Sequence, residues 1–430
     1  MSASSPNSTA DRQPQDGAAA AQSTAVEARP TRCWVEEISD ENAFAGLANE
    51  WCALSEQSDD ALLFSSHEWA AACWRHFHRA AAVRDHPRLW VLAVRDAMGL
   101  RAVVPLWLET RRFLGIRTRI AHFLGEGPSD YGDLLVVPPR RPVLEAIVDH
   151  LSASGTTCDL LDLREFFGES PNLPDLIELL ASRKCWVHRD EDSLCQNIPT
   201  ENGWDAYYRS RFISKRRRDQ RREWRSLEQT GVLTQEVLTD STIAHGLADA
   251  FAEVQAAHVD AGERRPGEFN DSKFRPFLEE MLATASARGW LRIPILRRNG
   301  APIAYYIAFL YRGRYNVYNT AHRADCQRYG AGKLLMLYML KQFFTERGGL
   351  IDYLRGAEPY KSSWTERTLI NARIRAARPG LRALIGRLVW FELMPMLKQR
   401  APFVYSVLVV AMEEGLKGLA TRALRRMRGR

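Results

Sequence analysis

A short glycine-containing segment, between a β-rich run and an apolar helical run, has the residue types best suited to ligand chemistry. It reads Gln327, Arg328, Tyr329, Gly330, Ala331, Gly332. Glycine lets the backbone turn tightly and approach a ligand without a Cβ in the way. The unpaired N–H groups of the following helix then point outward with the positive end of the dipole behind them, which holds a pyrophosphate. The alternative is an ordinary helix start in which glycine serves only the turn.

The elements that must position this segment are predicted from periodicity and turn residues. Asn299-Gly300 is typical of a two-residue hairpin turn, and Gly348-Gly349 is typical of a helix end. The second half of the chain is therefore expected to contain helices at Trp204–Glu228, Ile243–His258, Ser272–Arg288 and Gly330–Arg347, and strands at Leu291–Arg297, Pro302–Tyr311, Arg314–Thr320 and Leu350–Leu354.

The first half of the chain shows a similar order of elements. It is expected to contain a strand and a helix within Thr31–Ser55, a helix at Phe64–Phe77, a hairpin of Leu89–Val94 and Arg101–Leu108, a Gly/Asp-rich loop at Gly125–Asp133, a strand at Leu134–Val137, a helix at Val143–Leu151 and a strand at Cys158–Leu163. The final strands of the halves are alike, because Leu-Leu-Asp-Leu-Arg at 160–164 parallels Leu-Ile-Asp-Tyr-Leu-Arg at 350–355. The pattern predicts two copies of one mixed α/β unit, with a chance likeness as the alternative.

Charge is distributed unevenly along the 430 residues, whose net charge is +7. Residues 371–430 hold 13 Lys/Arg against 3 Asp/Glu, a net +10, so residues 1–370 sum to −3. Within that acidic remainder, Arg209–Arg225 holds 9 basic and 2 acidic residues. Two basic regions on an otherwise acidic chain are more informative than the overall charge.

Localisation is predicted from what the termini and cysteines suggest. No run reaches the roughly 20 apolar residues that a membrane-spanning helix needs. The first thirty residues, rich in Ala, Ser, Gln and Asp, have no secretory apolar core and indicate a disordered tail. Seven scattered cysteines without a close pair fit free thiols in a reducing compartment, so a cytoplasmic location is expected.

The segment at 327–332 resembles the Q/R-x-x-G-x-G/A signature with which GNAT acyltransferases bind the pyrophosphate of CoA. Other stretches resemble CelD/BcsL-type proteins, which are GNAT-like proteins associated with cellulose and other exopolysaccharide biosynthesis. These stretches are Asp352-Tyr353-Leu354-Arg355-Gly356, Tyr360-Lys361-Ser362-Ser363-Trp364, Ser214-Lys215-Arg216 with the basic helix through Arg222, Phe64-Ser65-Ser66-His67-Glu68-Trp69 and Gly125–Asp133. The motifs are collinear over about residues 60–370.

The resemblance implies an α/β (α+β) protein of two tandem GNAT-like units, as in Fem-type transferases, with mixed, mostly antiparallel sheets flanked by helices. The expected divisions are a tail at 1–30, an N-terminal unit at 31–195, a C-terminal unit with the acyl-CoA site at 196–370, and a basic helical tail at 371–430. In the first unit the corresponding helix start contains Pro138, Pro139 and Pro142, which lack the N–H donors that a phosphate needs. The first unit is therefore predicted to be structural or to serve the acceptor.

The reaction implied by the resemblance is direct attack of an amine or hydroxyl on the thioester. It needs a base, an oxyanion donor and an acid for the leaving thiolate. The family's fourth strand supplies a backbone N–H to the carbonyl, which here places Asn319–Ala321 near the thioester. Tyr360 stands where the acid would lie, with a core-packed aromatic as the alternative. His258 and His322 are candidate bases, with solvated cap or core histidines as the alternative.

Further charged residues complete the predicted site. Asp352 is a candidate catalytic residue, but its counterpart Asp162 lies in the unit without a cofactor, which favours a structural role for both. Arg355 and Lys361 are assigned to phosphate or an acidic substrate, with ordinary surface charge as the alternative, and Arg218 to the substrate. The cofactor-binding set is Gln327, Tyr329, Gly330, Ala331, Gly332, Lys333 and Asn319. No His/Glu spacing predicts a metal site, and no Ser or Cys stands in a nucleophile-elbow context.

The two basic regions leave alternatives open. Arg209–Arg225 fits a solvated surface helix, a wall for an anionic substrate, or a nucleic-acid contact, and the last is the least favoured. The tail from Leu381 fits a docked helix with a basic end, or an interfacial helix in peripheral contact with a membrane.

The function expected from all of these features is transfer of an acyl group from acetyl-CoA or another acyl-CoA to an amine or hydroxyl. The acceptor would be a small molecule or a saccharide or lipid-linked intermediate. One rival is a Fem-like transferase that uses aminoacyl-tRNA, with the basic helix as the RNA contact. The other rival is a non-catalytic accessory protein of a polysaccharide synthase.

Overall fold

The computed structural model describes residues 32–79, 87–153, 155, 157–240, 249–254, 256, 271–346 and 349–409. The predicted N-terminal tail at 1–30, most of the predicted helix at 243–258 including His258, and the chain after residue 409 lie outside the described residues.

Within the described residues, thirteen strands form one sheet. Their bounds are β1 Trp34–Ile38, β2 Arg88–Asp96, β3 Gly99–Phe113, β4 Ile116–Phe123, β5 Leu135–Val136, β6 Leu160–Phe166, β7 Trp186–Pro199, β8 Leu233–Leu238, β9 Leu291–Arg298, β10 Ala301–Tyr311, β11 Arg314–His322, β12 Leu350–Arg355 and β13 Thr368–Ala377. The order across the sheet is β1-β2-β3-β4-β6-β13-β7-β12-β11-β10-β9-β8, and β5 pairs with β3.

The sheet has the same pattern on either side of its central pair, β13 and β7. On one side β4 runs parallel to β6, and on the other β11 runs parallel to β12, while the remaining pairs of named strands are antiparallel. The predicted mixed, mostly antiparallel α/β fold is confirmed, but the two expected sheets are joined into one. The joining strands are exchanged: β7 follows the first half yet pairs with β12, and β13 follows the second half yet pairs with β6.

This exchange bears on the predicted unit boundaries. The division at 195/196 falls inside β7, and the division at 370/371 falls inside β13. Both strands lie at the centre of the sheet, because β13 pairs with β7 over nine residue pairs. Main-chain hydrogen bonds of these central strands connect the two halves. The halves are therefore joined by paired strands at the centre of the sheet and not by a linker.

Helices cover both faces of the sheet. Their bounds are α1 Glu41–Gly46, α2 Ala48–Gln57, α3 His67–Cys73, α4 Arg140–Ser152, α5 Leu173–Ser182, α6 Gly203–Arg211, α7 Ser214–Glu228, α8 Phe274–Ala287, α9 Ala331–Thr345, α10 Pro359–Ser362, α11 Leu381–Arg387 and α12 Met394–Arg400, followed by helical residues 402–409. Helices α4 and α9 are the crossovers that make the β4/β6 and β11/β12 pairs parallel. Predicted helix Trp204–Glu228 is divided into α6 and α7, with Phe212 in extended conformation between them.

Alternation of side chains explains why the strands are apolar on both faces. In β2, Leu89, Val91 and Ala93 enter a core shared with α1, α2, α3 and α8. Their neighbours Trp90 and Leu92 enter the core beneath α4 and α5 on the opposite face. In the second half, α9 packs on the same face as α4, together with α6 and α7.

Several local predictions are confirmed. Asn299 and Gly300 both have positive φ, as a type I′ turn requires, and they join β9 to β10. Ser66 caps α3 by accepting a hydrogen bond from the backbone N–H of Trp69. Each of the seven cysteines is a free thiol.

Among the described residues, no helix is both long and apolar enough to cross a bilayer.

Candidate functional site

The glycine-containing segment forms a tight turn at the start of α9. A short helical turn, Ala324–Tyr329, ends at Gly330, which adopts the left-handed conformation with φ of 70°. Helix α9 begins at the next residue, and its first intrahelical bond is donated by Leu334 to the carbonyl of Gly330. Among the described residues, the N–H groups of Ala331, Gly332 and Lys333 have no hydrogen-bond acceptor. Three outward donors at a helix N-terminus form a cradle for a phosphate.

Beside this turn, the two parallel strands separate. Strands β11 and β12 pair only from Arg314–Leu350 to Asn316–Asp352, although β11 continues to His322. The backbone of β11 beyond Val317 therefore has a partner in β10 but none in β12. The gap between the strands leads from the start of α9 into the sheet, and Asn319–Ala321 lie on its β11 side.

Two of the predicted residues, Gly332 and His322, meet at this start of α9, and Tyr360 packs in the core beneath it. A Cβ added at Gly332 would lie 3.2 Å from Nδ1 of His322, so the histidine ring packs directly against the glycine. The hydroxyl of Tyr306 donates to the carbonyl of Gly332 at 3.2 Å. Tyr360 packs against the same core, and burial, together with the neighbouring Tyr306 and Glu358, raises the pKa of its phenol well above 10. The phenol is therefore protonated at neutral pH, although a raised pKa also makes it a weaker proton donor.

Helix α7 packs against the turn and brings a carboxylate to it. A Cβ added at Gly330 would lie 3.3 Å from Oε2 of Glu223, and this oxygen is buried without a hydrogen-bond partner. The other oxygen pairs with Arg216 at 3.2 Å. An anion beside a helix N-terminus is favourable, so Glu223 stands where a phosphate would compete with it.

The remaining predicted cofactor and substrate residues are spread around the turn. Gln327 and Lys333 are exposed, and the guanidinium of Arg328 lies over the ring of Tyr329 at 4.6 Å. Asn319 accepts a hydrogen bond from the hydroxyl of Tyr305 at 3.2 Å. Arg218 is exposed on α7.

Asp352 is enclosed on the other face of β12 from α9. It is 0% exposed and accepts from the hydroxyl of Tyr131 at 2.9 and 3.0 Å and from the backbone N–H of Leu354 at 2.8 Å. Arg314 pairs with it at 2.9 Å. Burial raises the pKa of Asp352, against the opposing effect of Arg314. Its neighbours on β12, Ile351 and Tyr353, face α9 instead, so Asp352 does not adjoin the turn.

Arg355 and Lys361 make internal contacts. Arg355, at the end of β12, pairs with Asp130 at 3.1 Å and Glu165 at 3.2 Å. Lys361 is buried, donates to the carbonyl of Arg355 at 2.9 Å and pairs with Glu358 at 2.9 Å. The alternative of ordinary surface charge does not describe either residue, because both hold the loop after β12 in place.

A cavity of about 140 Å³ lies between the two halves of the sheet, beside Arg355. Most of its wall comes from the first half, including the loop 125–133 and the end of β6, with Phe64 at one side. The hydroxyl of Tyr318, on β11 next to Asn319, donates to the carbonyl of Pro128 in that loop at 2.8 Å. This hydrogen bond connects β11 to the loop that forms part of the cavity wall, and Arg355, at the end of β12, lines the cavity.

Carboxylates line this cavity. Oδ1 of Asp133 accepts three hydrogen bonds, from the backbone N–H of Leu134, the hydroxyl of Ser170 and the side-chain amide of Asn172. Burial raises the pKa of Asp133 to about 7. Asp130 stands outside the cavity wall, in the same loop, and burial raises its pKa to about 7 against the effect of Arg355. Carboxyl groups that titrate near neutral pH are suited to proton transfer.

Comparison with known proteins agrees with the geometry of the second half. Residues 214–362 match the family model described as an acetyltransferase (GNAT) domain. No sequence among the curated proteins matches the chain.

Among solved structures, FemX superposes with a TM-score of 0.55 at 10% identity, over 82% of this chain and 99% of that one. The C-terminal domain (DUF2156) of a protein named as a lysylphosphatidylglycerol synthetase, from Agrobacterium fabrum, gives 0.47 at 12% identity, over 80% and 97% of the two chains. A tandem GNAT protein from the clavulanic acid pathway gives 0.41 at 11% identity, over 81% and 100%. FemX shares the fold.

The matched GNAT region contains the turn at Gly330, the gap between β11 and β12, and Tyr360. The corresponding helix start in the first half is α4, where Pro139 is the cap and Pro142 the third helical residue. Its cations are already paired, Arg140 with Asp60 and Arg141 with Glu178. The first half therefore offers fewer free donors and less free positive charge than the turn at Gly330.

Sequence reasoning missed a buried charged cluster behind the cavity. His122, at the end of β4, lies 2.8 Å from Glu126, which lines the cavity, and 3.3 Å from Glu109. Burial opposes its charge, but the two carboxylates raise the pKa of His122 to about 9. Trp107 stacks between His122 and His78. The residues of this charged cluster lie on separate strands and loops, so only the tertiary fold brings them together. The Gly/Asp-rich composition of the loop 125–133 is the one signal that pointed to this part of the molecule.

The structure brings no metal site to light in the part of the chain that it describes, where no group of three or more His, Cys, Asp or Glu residues could hold an ion.

Proposed function

We propose that the protein transfers an acyl group from acetyl-CoA or another acyl-CoA to an amine or hydroxyl acceptor. The observation that carries the proposal is the set of free N–H groups of Ala331, Gly332 and Lys333, aimed outward beside separating parallel strands inside the matched GNAT region. The donors fit a pyrophosphate, and the gap between β11 and β12 fits an extended chain that leads from it.

The residues around the gap fit the parts that acyl transfer needs. The backbone N–H groups of Asn319–Ala321 are proposed to stabilise the thioester carbonyl as negative charge develops on its oxygen. Tyr360, protonated at neutral pH, is proposed to donate its proton to the departing thiolate. His322, at the start of α9, is proposed as a base for an acceptor that approaches from that side.

The acceptor is proposed to bind in the cavity between the halves. The proposal is supported by the hydrogen bond from the hydroxyl of Tyr318, next to Asn319, to the carbonyl of Pro128 in the loop that forms part of the cavity wall. Asp133, which lines the cavity and whose pKa is raised to about 7, would accept a proton from an amine or hydroxyl there. The first half would thus serve the acceptor and the second half the acyl donor. The proposed acceptor is a saccharide or a lipid-linked intermediate of exopolysaccharide biosynthesis. In this proposal the protein acts in the cytoplasm, in a role like that of CelD/BcsL-type proteins.

One observation favours a second candidate, a Fem-like transferase that takes its acyl group from aminoacyl-tRNA. The structure arranges exposed cations along one side of α7, at the spacing i, i+3, i+7 and i+10, and none forms an ion pair among the described residues. They are Lys215, Arg218, Arg222 and Arg225, with Arg221 beside them. Such a stripe can neutralise several phosphates of one strand. We favour acyl-CoA because the free donors at α9 fit one pyrophosphate.

The test of acyl-CoA binding compares two lysines on α9. Lys333→Glu places a negative charge among the three free N–H groups, whereas Lys341→Glu makes the same change two turns later, also at an exposed position. An acid in the first helical turn does not weaken the helix. By isothermal titration with acetyl-CoA, we expect Lys333→Glu to bind at least tenfold more weakly and Lys341→Glu to bind like the wild type.

A second variant removes the turn itself. Gly330→Pro forbids the φ of 70° and removes the N–H that Gly330 donates to the carbonyl of Gln327, so CoA binding should be abolished. Circular dichroism would show whether the variant is folded. Unchanged affinity in a folded Gly330→Pro protein, or equal losses in Lys333→Glu and Lys341→Glu, would refute the site.

A further inference from the structure

The last described helices pack on the sheet through one side only. Helix α11, the wide helical turn Leu388–Leu393, α12 and residues 402–409 follow one another along the chain. Their buried side chains join a small core with β4, β6 and β13, formed by Ile120, Leu160, Ala377, Ala383, Val389, Trp390, Phe391 and Met394. Burial of these side chains fixes the helices on the molecule and determines which residues face outward.

The outward side of this C-terminal helical surface, residues 381–407, is also apolar. Thirteen large apolar side chains are exposed in the described part of the chain, and seven of them lie within these 27 residues. The seven are Leu381, Leu384, Leu388, Met396, Phe403, Val404 and Val407. Leu381 and Phe403 are each 72% exposed. Apolar side chains gathered in this way mark an interaction site, whereas single exposed ones need no explanation.

Their spacing places them on continuous stripes. Leu381, Leu384 and Leu388 are separated by three and four residues, which is one side of a helix. Phe403, Val404 and Val407 repeat the arrangement in residues 402–409, where Tyr405 and Val409 turn towards the core instead. These helices are therefore apolar both towards the core and away from it.

Positive charge accompanies the apolar stripes. Lys398 and Arg400 are exposed between Met396 and Phe403, and neither forms an ion pair among the described residues. Residues 371–430 as a whole carry 13 Lys/Arg and 3 Asp/Glu, and 6 of the cations and 2 of the acids follow residue 409. Residues 381–407 themselves hold four Lys/Arg and one Glu, and two of the cations, Arg382 and Arg387, form ion pairs. Lys398 and Arg400 therefore make this surface complementary to an anionic partner.

We propose that the C-terminal helical surface binds the face of a membrane that contains anionic lipids. Apolar side chains would enter the boundary between headgroups and acyl chains, while the lysine and arginine side chains would remain at the level of the lipid phosphates. This proposal does not depend on the acyl donor or on the acceptor.

A second copy of the chain fits the surface less well. A symmetric dimer through this face would bring each cationic segment against itself, so like charges would oppose the burial of the apolar stripes. The apolar side chains also lie along three successive helical segments rather than around a groove that would select one protein partner. A fluid lipid surface can cover apolar side chains along all three helical segments, and its anionic headgroups can pair with the exposed cations.

The experiment is co-sedimentation of the full chain with sucrose-loaded vesicles. Vesicles of equal phosphatidylcholine and phosphatidylglycerol are compared with vesicles of phosphatidylcholine alone, at low and at high salt. We expect at least tenfold stronger partitioning onto the anionic vesicles at low salt, and weaker binding at high salt because screening reduces the electrostatic part.

Matched variants locate the contact. Leu384→Glu with Phe403→Glu should reduce binding at least tenfold, and Lys398→Glu with Arg400→Glu should reduce it on the anionic vesicles. Met98→Glu with Val232→Glu changes two apolar side chains that are exposed elsewhere and should bind like the wild type. Circular dichroism and thermal unfolding report whether each protein is folded.

Three outcomes would overturn the proposal. The first is equal binding, or none, to the two kinds of vesicle. The second is an equal loss in the Met98/Val232 control. The third is light scattering that shows a wild-type dimer which Leu384→Glu with Phe403→Glu converts to a monomer, with vesicle binding unchanged, since the surface would then be a contact between copies.

Discussion

Glu165 and Arg355 form an ion pair at 3.2 Å, and each stands three residues after the matching aspartate of its half, Asp162 and Asp352. Strands β6 and β12 are antiparallel to one another through β13 and β7. Because the end of β6 is in register with Glu191 of β7 and the end of β12 with Cys195, their carboxyl ends meet near the middle of the sheet. The pair thus links corresponding points of the two halves at the edge of the cavity.

This ion pair should couple the stability of the halves. Arg355→Gln leaves both Asp130 and Glu165 without their cation and should cost about 2 kcal/mol of unfolding free energy, whereas Glu165→Gln should cost about 1 kcal/mol. Urea unfolding of the two single variants and the double variant measures their coupling, which should be about 1 kcal/mol. Strict additivity of the two losses would show that the pair contributes no stability.

Asp162 and Asp352 offer a comparison of two buried carboxylates. Asp162 accepts a two-pronged contact from Arg373 at 2.7 and 2.8 Å, and Asp352 is held by Arg314 and Tyr131. If both are structural, Asp→Asn at either position should destabilise the protein by about 3 kcal/mol, because an arginine loses its partner. Tyr131→Phe removes a single hydrogen-bond donor and should cost about 1 kcal/mol.

The measurements are thermal unfolding and turnover per folded molecule for each variant. Each Asp→Asn variant should have a lower melting temperature than the wild type, whereas its turnover per folded molecule should be unchanged. Loss of turnover in Asp352→Asn with an unchanged melting temperature would instead make Asp352 catalytic.

The buried cluster around His122 predicts a pH dependence. The folded pKa of about 9 exceeds the ordinary value near 6.5, so the stability from the charged ring is complete below pH 6.5 and is lost as pH rises to 9. The pKa of Glu109 is held at about 2 by His122 and Arg111 despite burial, so its contribution is lost as pH falls from about 4.5 to 2. Between these windows both contributions are present.

His122→Gln tests the upper window. Asp130 and Asp133 also titrate, near pH 7, so the informative quantity is the difference between wild type and variant. That difference in unfolding free energy should shrink by about 2 kcal/mol between pH 6.5 and 9. A difference that stays constant across this range would mean that His122 is neutral in the folded protein.

Sequence patterns predicted the local elements well and the arrangement of the sheet poorly. Hairpins and crossover helices follow from short-range signals. At Asn299-Gly300 and at Gly330, the turn requires residues that tolerate positive φ, and adjacent residues in the sequence show this directly. β7 and β13 were not predicted, because β7 contains His188, Arg189 and Asp190 in a partly exposed run without clear alternation. Their exchange between the halves depends on contacts far apart in sequence.

The candidate site divides in the same way. The turn at Gly330 lies within six adjacent residues and could be found from their types, whereas the cavity joins residues about 190 positions apart, such as Glu165 and Arg355. Arg355 resembled a free cation in the sequence because its acids come from the other half. The partners of Lys361 are local, Glu358 and the carbonyl of Arg355, but its burial depends on the fold.

Glu223 predicts a gain of function in binding. Its carboxylate lies against Gly330, where it would repel the pyrophosphate of CoA, and it also engages Arg216. Glu223→Gln removes the repulsion and releases Arg216, so the affinity for acetyl-CoA should rise about threefold to tenfold, equivalent to about 1 kcal/mol. Glu228→Gln, at an exposed position at the end of the same helix, is the control and should leave the affinity unchanged. Equal or weaker binding by Glu223→Gln would place the phosphates elsewhere.

The exposed cations of α7 separate the two candidate acyl donors. An RNA held through this stripe would release a counterion for each phosphate contacted, so its affinity would fall steeply with salt. One CoA offers only a few charges and would give a shallow dependence. We expect the wild type to show the shallow dependence with acetyl-CoA and no specific tRNA binding.

Arg218→Glu with Arg222→Glu should impair use of the acceptor or cofactor. Titrations with tRNA and with acetyl-CoA at several salt concentrations decide the matter. Micromolar, steeply salt-dependent tRNA binding that this double variant loses would favour the aminoacyl-tRNA-dependent reaction over the acyl-CoA-dependent one.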